Sequence, residues 1–220
     1  MEDMSFWDVV MKRRSVRVFT DKMPSEKDIR RVIDAACRAP SGKNKQNWHF
    51  TVISDSEMIG HIADLVTAKN GQIAESAGSP DAAERFRGFS RYSVFFRHAP
   101  VLILVFAGPY NVTGAAELKA AGLEDESRRA LETAPGIQSV AAAMENLLLA
   151  AAALGLGTCW MTSANYAAAE IVSYVGRPAE GFELIAMTPL GYPADGTAPG
   201  QRDAPKAKVT FLPREMGQSR

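Results

Sequence analysis

The stretch PGIQSVAAAMENLLLAAAALG, Pro135–Gly155, decides how the chain is read. It is rich in alanine and leucine, the strongest helix formers. Its apolar residues lie nearly all round, so one neighbour cannot bury it. Such a helix is either the centre of its own domain or part of a subunit interface. Glu145 and Asn146 interrupt the apolar run Val140–Leu156, which is also short for a membrane span.

Beyond the helix, Gly155-Leu156-Gly157-Thr158-Cys159-Trp160-Met161-Thr162 turns into a strand. Asn165 is placed to cap a helix to Val175, with Gly176 as its stop. Leu184–Met187 reads as the last core strand before Pro189-Leu190-Gly191-Tyr192-Pro193, and Lys206–Leu212 as a final extended piece. Before the helix, residues 108–134 read as a polar loop holding one short helix, with Glu124–Arg128 and Asp125–Arg129 pairs at i,i+4. The continuous apolar run Pro100–Phe106 reads as a buried strand. Phe86, Phe89, Tyr92 and Phe96 recur at roughly helical spacing, and residues 69–84 read as a loop. Trp48, Phe50 and Val52 alternate with polar residues as in a strand; Asp55 or Ser54 then caps a helix to about Ala68. Ser25 opens a helix in which Ile29, Val32, Ile33 and Ala36 recur, ended before Pro40. Ser5 and Asp8 suggest a capping box, with Phe6, Val9 and Val10 as a buried stripe. Helices interleaved with four or five strands give a single domain over 1–220, of α/β or α+β class.

The composition is that of a globular protein, 46% hydrophobic and 23% charged. A formal net charge of zero disfavours a general nucleic-acid or membrane-surface binder. Two distant cysteines, Cys37 and Cys159, make no disulfide framework or CxxC site, and three scattered histidines make a zinc centre an unpromising idea. The start MEDMSFWDVV lacks the basic and apolar regions of a secretory signal, so the expectation is a cytoplasmic protein without nucleic-acid or membrane partners.

Gly155-x-Gly157 lacks the third glycine of a dinucleotide fingerprint, since Trp160 stands in its place, and P-loop, HExxH and GxSxG motifs are absent. Arg13-Arg14-Ser15-Val16-Arg17 sets three guanidiniums within five residues. They repel one another unless solvated or bound to an anion, and the guanidinium fork suits phosphate; a solvated basic helix end fits the same residues. Ala39-Pro40-Ser41-Gly42-Lys43-Asn44-Lys45-Gln46-Asn47-Trp48 offers short donors and acceptors beside a rigid proline, suited to the edge of a flat heterocycle, or it is an ordinary connection. Trp160-Met161-Thr162-Ser163 puts hydroxyl residues at a strand end, where α/β proteins commonly place ligands, or is a core pair followed by a turn.

In this order, the segments Arg13–Phe19, Ala39–Asn44 with Gln46 and Trp48–Phe50, Glu145–Thr158, and Pro189–Pro193 together resemble the nitroreductase family of flavoproteins. The resemblance implies an α+β, three-layer fold with a central mixed sheet flanked by helices, and an intertwined homodimer holding FMN at its interface. It places Arg13 and Arg14 at the FMN phosphate and Ser15 at the phosphate or ribityl chain. Arg17 falls near the pyrimidine edge, where it would stabilise the negative charge of reduced flavin. Pro40, Ser41 and Asn44 would approach the ring from the partner subunit. Trp160, Met161, Thr162 and Ser163 would run along the ring, with Thr162 as a contact for flavin N5. Lys206 and Lys208 match the basic residue that completes the phosphate site, where the family usually has arginine; Asn47 stands where it usually has proline. The implied activity is ping-pong reduction of nitroaromatics or quinones by NADH or NADPH, with no catalytic side chain required. Reductive dehalogenation on the same fold, or FMN binding without turnover, are the alternatives.

Overall fold

The computed structural model describes residues 5–194 and 209–210. Its elements, in chain order, are α1 (Phe6–Lys12), α2 (Glu26–Ala36), a 3-10 turn (Gly42–Asn44), β1 (Trp48–Ile53), α3 (Ser56–Glu75), α4 (Pro80–Ser90), a 3-10 segment (Arg91–His98) and β2 (Val101–Ala107). Then come α5 (Ala115–Ala120), α6 (Glu124–Glu132), α7 (Pro135–Ala153), β3 (Gly157–Thr158), a 3-10 turn (Ser163–Ala167), α8 (Ala168–Val175) and β4 (Glu183–Gly191). The class is α+β.

The helix starts follow local chemistry. Ser5 and Asp8 form a complete capping box, the Ser25 hydroxyl accepts from Asp28 N–H, and the Asp55 carboxylate accepts from the N–H groups of Glu57 and Met58. Each cap supplies an acceptor for first-turn N–H groups that have no intrahelical partner.

The four strands form one sheet in the order β1-β2-β4-β3. All seven residues of β2 are buried, and they alternate between two cores. Val101, Ile103, Val105 and Ala107 pack with Val32 and Ala36 of α2 and with Val140, Ala143, Met144, Leu147, Leu148 and Ala151 of α7. Leu102, Leu104 and Phe106 face Ile59, Ile62, Ala63 and Val66 of α3 and Ile171 of α8. This gives three layers, helices–sheet–helices. The mixed sheet expected from the sequence is corrected: every ladder among the described strands is antiparallel, and the parallel element is an isolated bridge between Ser15 and Thr158. Burial on both faces, rather than strand direction, produces the unbroken apolar run that parallel strands also show.

Helix α7 is the centre of the first core. By length and composition the stretch Glu124–Ala153 is apolar enough to cross a membrane, but α7 turns Leu147 and Leu148 into the core with α2 and β2. Leu148 of α7 is buried within the single chain.

Several local expectations are corrected. Helix α3 runs on through Gly71 to Glu75, and α4 begins at Pro80, so most of 69–84 is helical. Residues 108–134 hold two helices, and Arg128 pairs with Asp125 and Glu132 while Arg129 pairs with Glu126. Asn165 lies inside a 3-10 turn and does not cap α8. In α1 only Val9 is buried, and Phe6 and Val10 are exposed. Val52 is also exposed.

Leu147 has no exposed surface and sits where α7 meets α2 and β2. Leu147→Ala removes its packing and leaves a cavity, so we expect a loss of about 3 kcal/mol in urea unfolding. A loss below about 1 kcal/mol would contradict its place at the core's centre.

Candidate functional site

The basic cluster is fixed by backbone pairing. Helix α1 ends at Lys12, and the chain leaves it extended at Arg13, whose N–H still donates to Val9 O at 2.9 Å. Three residues on, Val16 N–H donates to Thr158 O at 2.8 Å, docking Arg13–Arg17 beside β3. Val16 is buried against Gly157 so closely that a Cβ there would lie 2.7 Å from Val16 Cγ2. Glycine is therefore what lets the two segments pair.

Lys12, Arg13, Arg14 and Thr158 line a cavity of about 250 Å³ closed by the C-terminal end of α7 (Ala152–Leu156) and by Pro193. Arg13 Nε lies 3.9 Å from Glu145 Oε1, too long for a hydrogen bond. Arg14 Nε is buried and has no hydrogen-bond partner. A buried donor on a permanent cation is costly to leave unpaired; Arg14 also lines the cavity beside Lys12 and Arg13, which gathers positive charge there. The residues fit a phosphate group.

Cys159 follows directly, its thiol buried beside Ser15 and Arg17. Burial pushes the thiol above the usual range; the charges of Arg17 and Arg13 and the Ser15 hydroxyl oppose this but are outweighed. The Arg17 guanidinium lies 5.8 Å from the Phe95 ring centroid. Met161 exchanges backbone hydrogen bonds with Met187 at 2.9 and 3.0 Å and is buried, whereas Trp160 and Thr162 on either side are exposed and Ser163 begins a 3-10 turn. The strand end thus turns Trp160 and Thr162 toward solvent, just past Cys159.

The second motif lies elsewhere. Pro40 is exposed, Ser41 Oγ accepts from Gln46 N–H at 3.0 Å, and Gly42 N–H donates to Ser139 Oγ of α7 at 3.1 Å. Lys43, Asn44 and Gln46 all adopt positive φ (56°, 50° and 48°), a conformation costing about 1 kcal/mol for each non-glycine residue. Ser139 sits near the start of α7 and Ala152 near its end, about 20 Å apart along the axis at roughly 1.5 Å per residue. Within one chain, Arg13 and Arg14 line the cavity, Ser15 pairs with Thr158 and Arg17 lies beside Cys159, just ahead of Trp160–Ser163, whereas the loop carrying Pro40, Ser41 and Asn44 is tied near the other end of α7. Lys206 and Lys208 lie outside the described residues.

Sequence reasoning missed Lys12, Thr158 and Pro193 as cavity walls. Lys12 was legible, since it extends the run Lys12-Arg13-Arg14; Thr158 and Pro193 are brought there by pairing across the fold. It also missed what Asn47 does. This residue is 5% exposed, and its side-chain nitrogen donates to Gly108 O at 3.2 Å and to Gly136 O at 3.3 Å.

The chain belongs to the nitroreductase family, whose model matches residues 10–192. It is 40% identical to a BluB-like flavoprotein of Clostridium difficile 630, with a TM-score of 0.88 over 96% of this chain and 100% of that one. A nitroreductase of Desulfitobacterium hafniense DCB-2, solved with bound FMN, shares the fold at 22% identity, with a TM-score of 0.72 over 96% of this chain and 100% of that one. Among characterised sequences it is 28% identical over 191 residues to an Archaeoglobus fulgidus protein named provisionally as an NADH dehydrogenase/NAD(P)H nitroreductase, covering 85% of this chain and 84% of that one. It is 28% identical over 193 residues to the iodotyrosine deiodinase of Thermotoga neapolitana, covering 86% and 89%. The fold and the flavoprotein family are therefore shared by proteins named for different substrates.

The two thiols should differ in reactivity, because thiolate is the reacting form. Near neutral pH, exposed Cys37 should react with an aromatic disulfide reagent, while buried Cys159 should react only at pH well above the usual thiol range or after unfolding. Two equally fast thiols in the native protein would contradict the placement of Cys159.

Proposed function

We propose that this protein is an FMN-dependent oxidoreductase working as a homodimer, which takes electrons from NADH or NADPH and reduces an aromatic acceptor such as a nitroaromatic or a quinone. The observation that carries the reading is the cavity lined by three cationic side chains, Lys12, Arg13 and Arg14, with Arg14 Nε finding no acceptor among the described residues. A phosphate dianion needs about two positive charges and several donors, and this cavity offers them where the family resemblance expects the FMN phosphate. When bound, FMN supplies electron transfer between a nicotinamide and an acceptor. The chain's own residues bind and orient it. Arg13 and Arg14 hold the phosphate, with Lys12 adding charge; Ser15 donates to the phosphate or ribityl chain. Arg17 faces the pyrimidine edge, where a fixed cation favours the reduced, negatively charged ring. Trp160, Met161, Thr162 and Ser163 flank the ring, and Thr162 is the contact for its N5 atom. The chain need not supply a general acid or base for the electron transfer itself.

Homodimer formation rests on two features. Pro40, Ser41 and Asn44 are too far along α7 to serve the cavity of their own chain, so they serve the flavin of a second copy. Helix α1 carries Phe6, Trp7, Val10 and Met11 with Trp7 74% and Met11 77% exposed. An apolar cluster of this kind marks an interaction surface. Reductive dehalogenation is the second reading, favoured by the likeness to a deiodinase.

The reading is tested by titrating FMN into apo-protein and following flavin fluorescence, then assaying NADH and NADPH oxidation with a nitroaromatic, a quinone and an iodophenol. FMN should bind, and Arg14→Leu should weaken it about tenfold or more without lowering apo-protein stability, since it removes a buried unpaired donor. A wild-type protein that stays colourless with FMN overturns the proposal; turnover of the iodophenol alone favours the second reading. Trp7→Glu should convert dimer to monomer in light scattering, because it sets a charge in an apolar contact. An unchanged dimer removes α1 from the interface.

A further inference from the structure

The segment Ser41–Gln46 is held in an unusual backbone shape by a small set of side chains. Three of its residues, Lys43, Asn44 and Gln46, have positive φ without being glycine. Strain of this kind persists only where surrounding contacts over-determine it. At the front, Gly42 N–H donates to Ser139 Oγ, and that hydroxyl donates to Pro135 O at 2.8 Å. At the back, Asn47 donates from its side chain to the carbonyls of Gly108, just past β2, and Gly136, in the first turn of α7. Its own backbone carbonyl accepts from Gly108 N–H at 2.7 Å. Both side-chain partners are carbonyl oxygens, so the amide orientation is dictated: the nitrogen faces them. Tyr110 fills the space between. A Cβ on Gly136 would come within 2.6 Å of Tyr110 Cβ, and Lys43 Nζ lies 5.9 Å from the Tyr110 ring centroid and donates to Asn111 O at 3.3 Å.

We propose that Asn47 is a positioning residue for the flavin-facing loop: its two side-chain hydrogen bonds clamp Ser41–Gln46 to α7 and β2 in the strained shape that meets the isoalloxazine ring of the second copy. This rests on the FMN reading above. Among the described residues the Gly42–Ser139 bond ties the loop to α7 alone, whereas the one buried Asn47 amide reaches both segments, with acceptors 61 and 89 residues away in sequence. Released from the clamp, the loop relaxes toward negative φ, and Ser41 and Asn44 leave their places. The residue acts through the loop and does not itself touch flavin.

The test compares wild type with Asn47→Ala and Asn47→Asp, with Asn70→Ala as control. Asn70 is also 5% exposed, and its side chain bonds to Ser93 far from the loop. Two readouts are used: FMN affinity from flavin fluorescence, and the rate at which trypsin cuts apo-protein after the exposed Lys43 and Lys45. Asn47→Ala should weaken FMN and speed the cut by about tenfold, while Asn70→Ala leaves both within about twofold even where it lowers the melting temperature. Asn47→Asp keeps the shape but turns a carboxylate on two carbonyls, so it should be at least as damaging as alanine. Rescue by aspartate, or equal effects of Asn47→Ala and Asn70→Ala, overturns the clamp. If wild type binds no FMN, the functional reading fails while the trypsin rates still decide the clamp; if FMN binds normally and the trypsin rates are equal, the clamp alone fails.

Discussion

Strand β2 must be kept from water on both faces, and the rest of the molecule is arranged to do it. Its seven buried residues alternate between α2 with α7 on one side and α3 with α8 on the other. At roughly 25 cal/mol per Å² of apolar area removed from water, such a strand dominates the stability of a domain this size. Covering one face takes a helix that is apolar nearly all round, which is α7. The length of α7 then sets a distance. The cation-lined cavity lies at its C-terminal end and the Ser41–Gln46 loop near its N-terminal end, so hydrophobic burial places the two polar motifs about 20 Å apart.

Features that depend on nearby residues were legible in the sequence. Ser5 with Asp8, Ser25, Asp55 and Gly176 all mark helix ends as expected, because a cap involves residues two to four positions apart. The apolar run of β2 and the core role of α7 were legible because they are large. Features that depend on what lies opposite were not. The 3.6-residue period groups Phe6 and Val10 on one face of α1, yet it cannot say that both stay exposed among the described residues. Residues 69–84 read as loop from their Gly, Ser and Ala content, while α3 simply continues through Gly71 to Glu75, with Asn70 and Ala74 buried. The parallel or antiparallel sense of the strands was equally hidden, since two-sided burial gives the same run in either.

The candidate site divides in the same way. The Arg13–Arg17 run was visible as a charge pattern, and its pairing with Thr158 turned a pattern into a cavity. Asn47 was visible only as a departure from the family's usual proline. Its work, two hydrogen bonds to carbonyls from distant segments, has no local signature.

The physical logic of the site is one of deliberate incompleteness. Cores are normally saturated: buried donors find acceptors, and apolar helices find cover. Here two features stay open in the single chain. Arg14 Nε is buried without an acceptor, and α1 shows Trp7 and Met11 to solvent. Under the proposed function an anion would answer the first and a second chain the second. In that proposed dimer the loop too far from its own cavity would serve the other chain's, so ligand binding and assembly would be coupled.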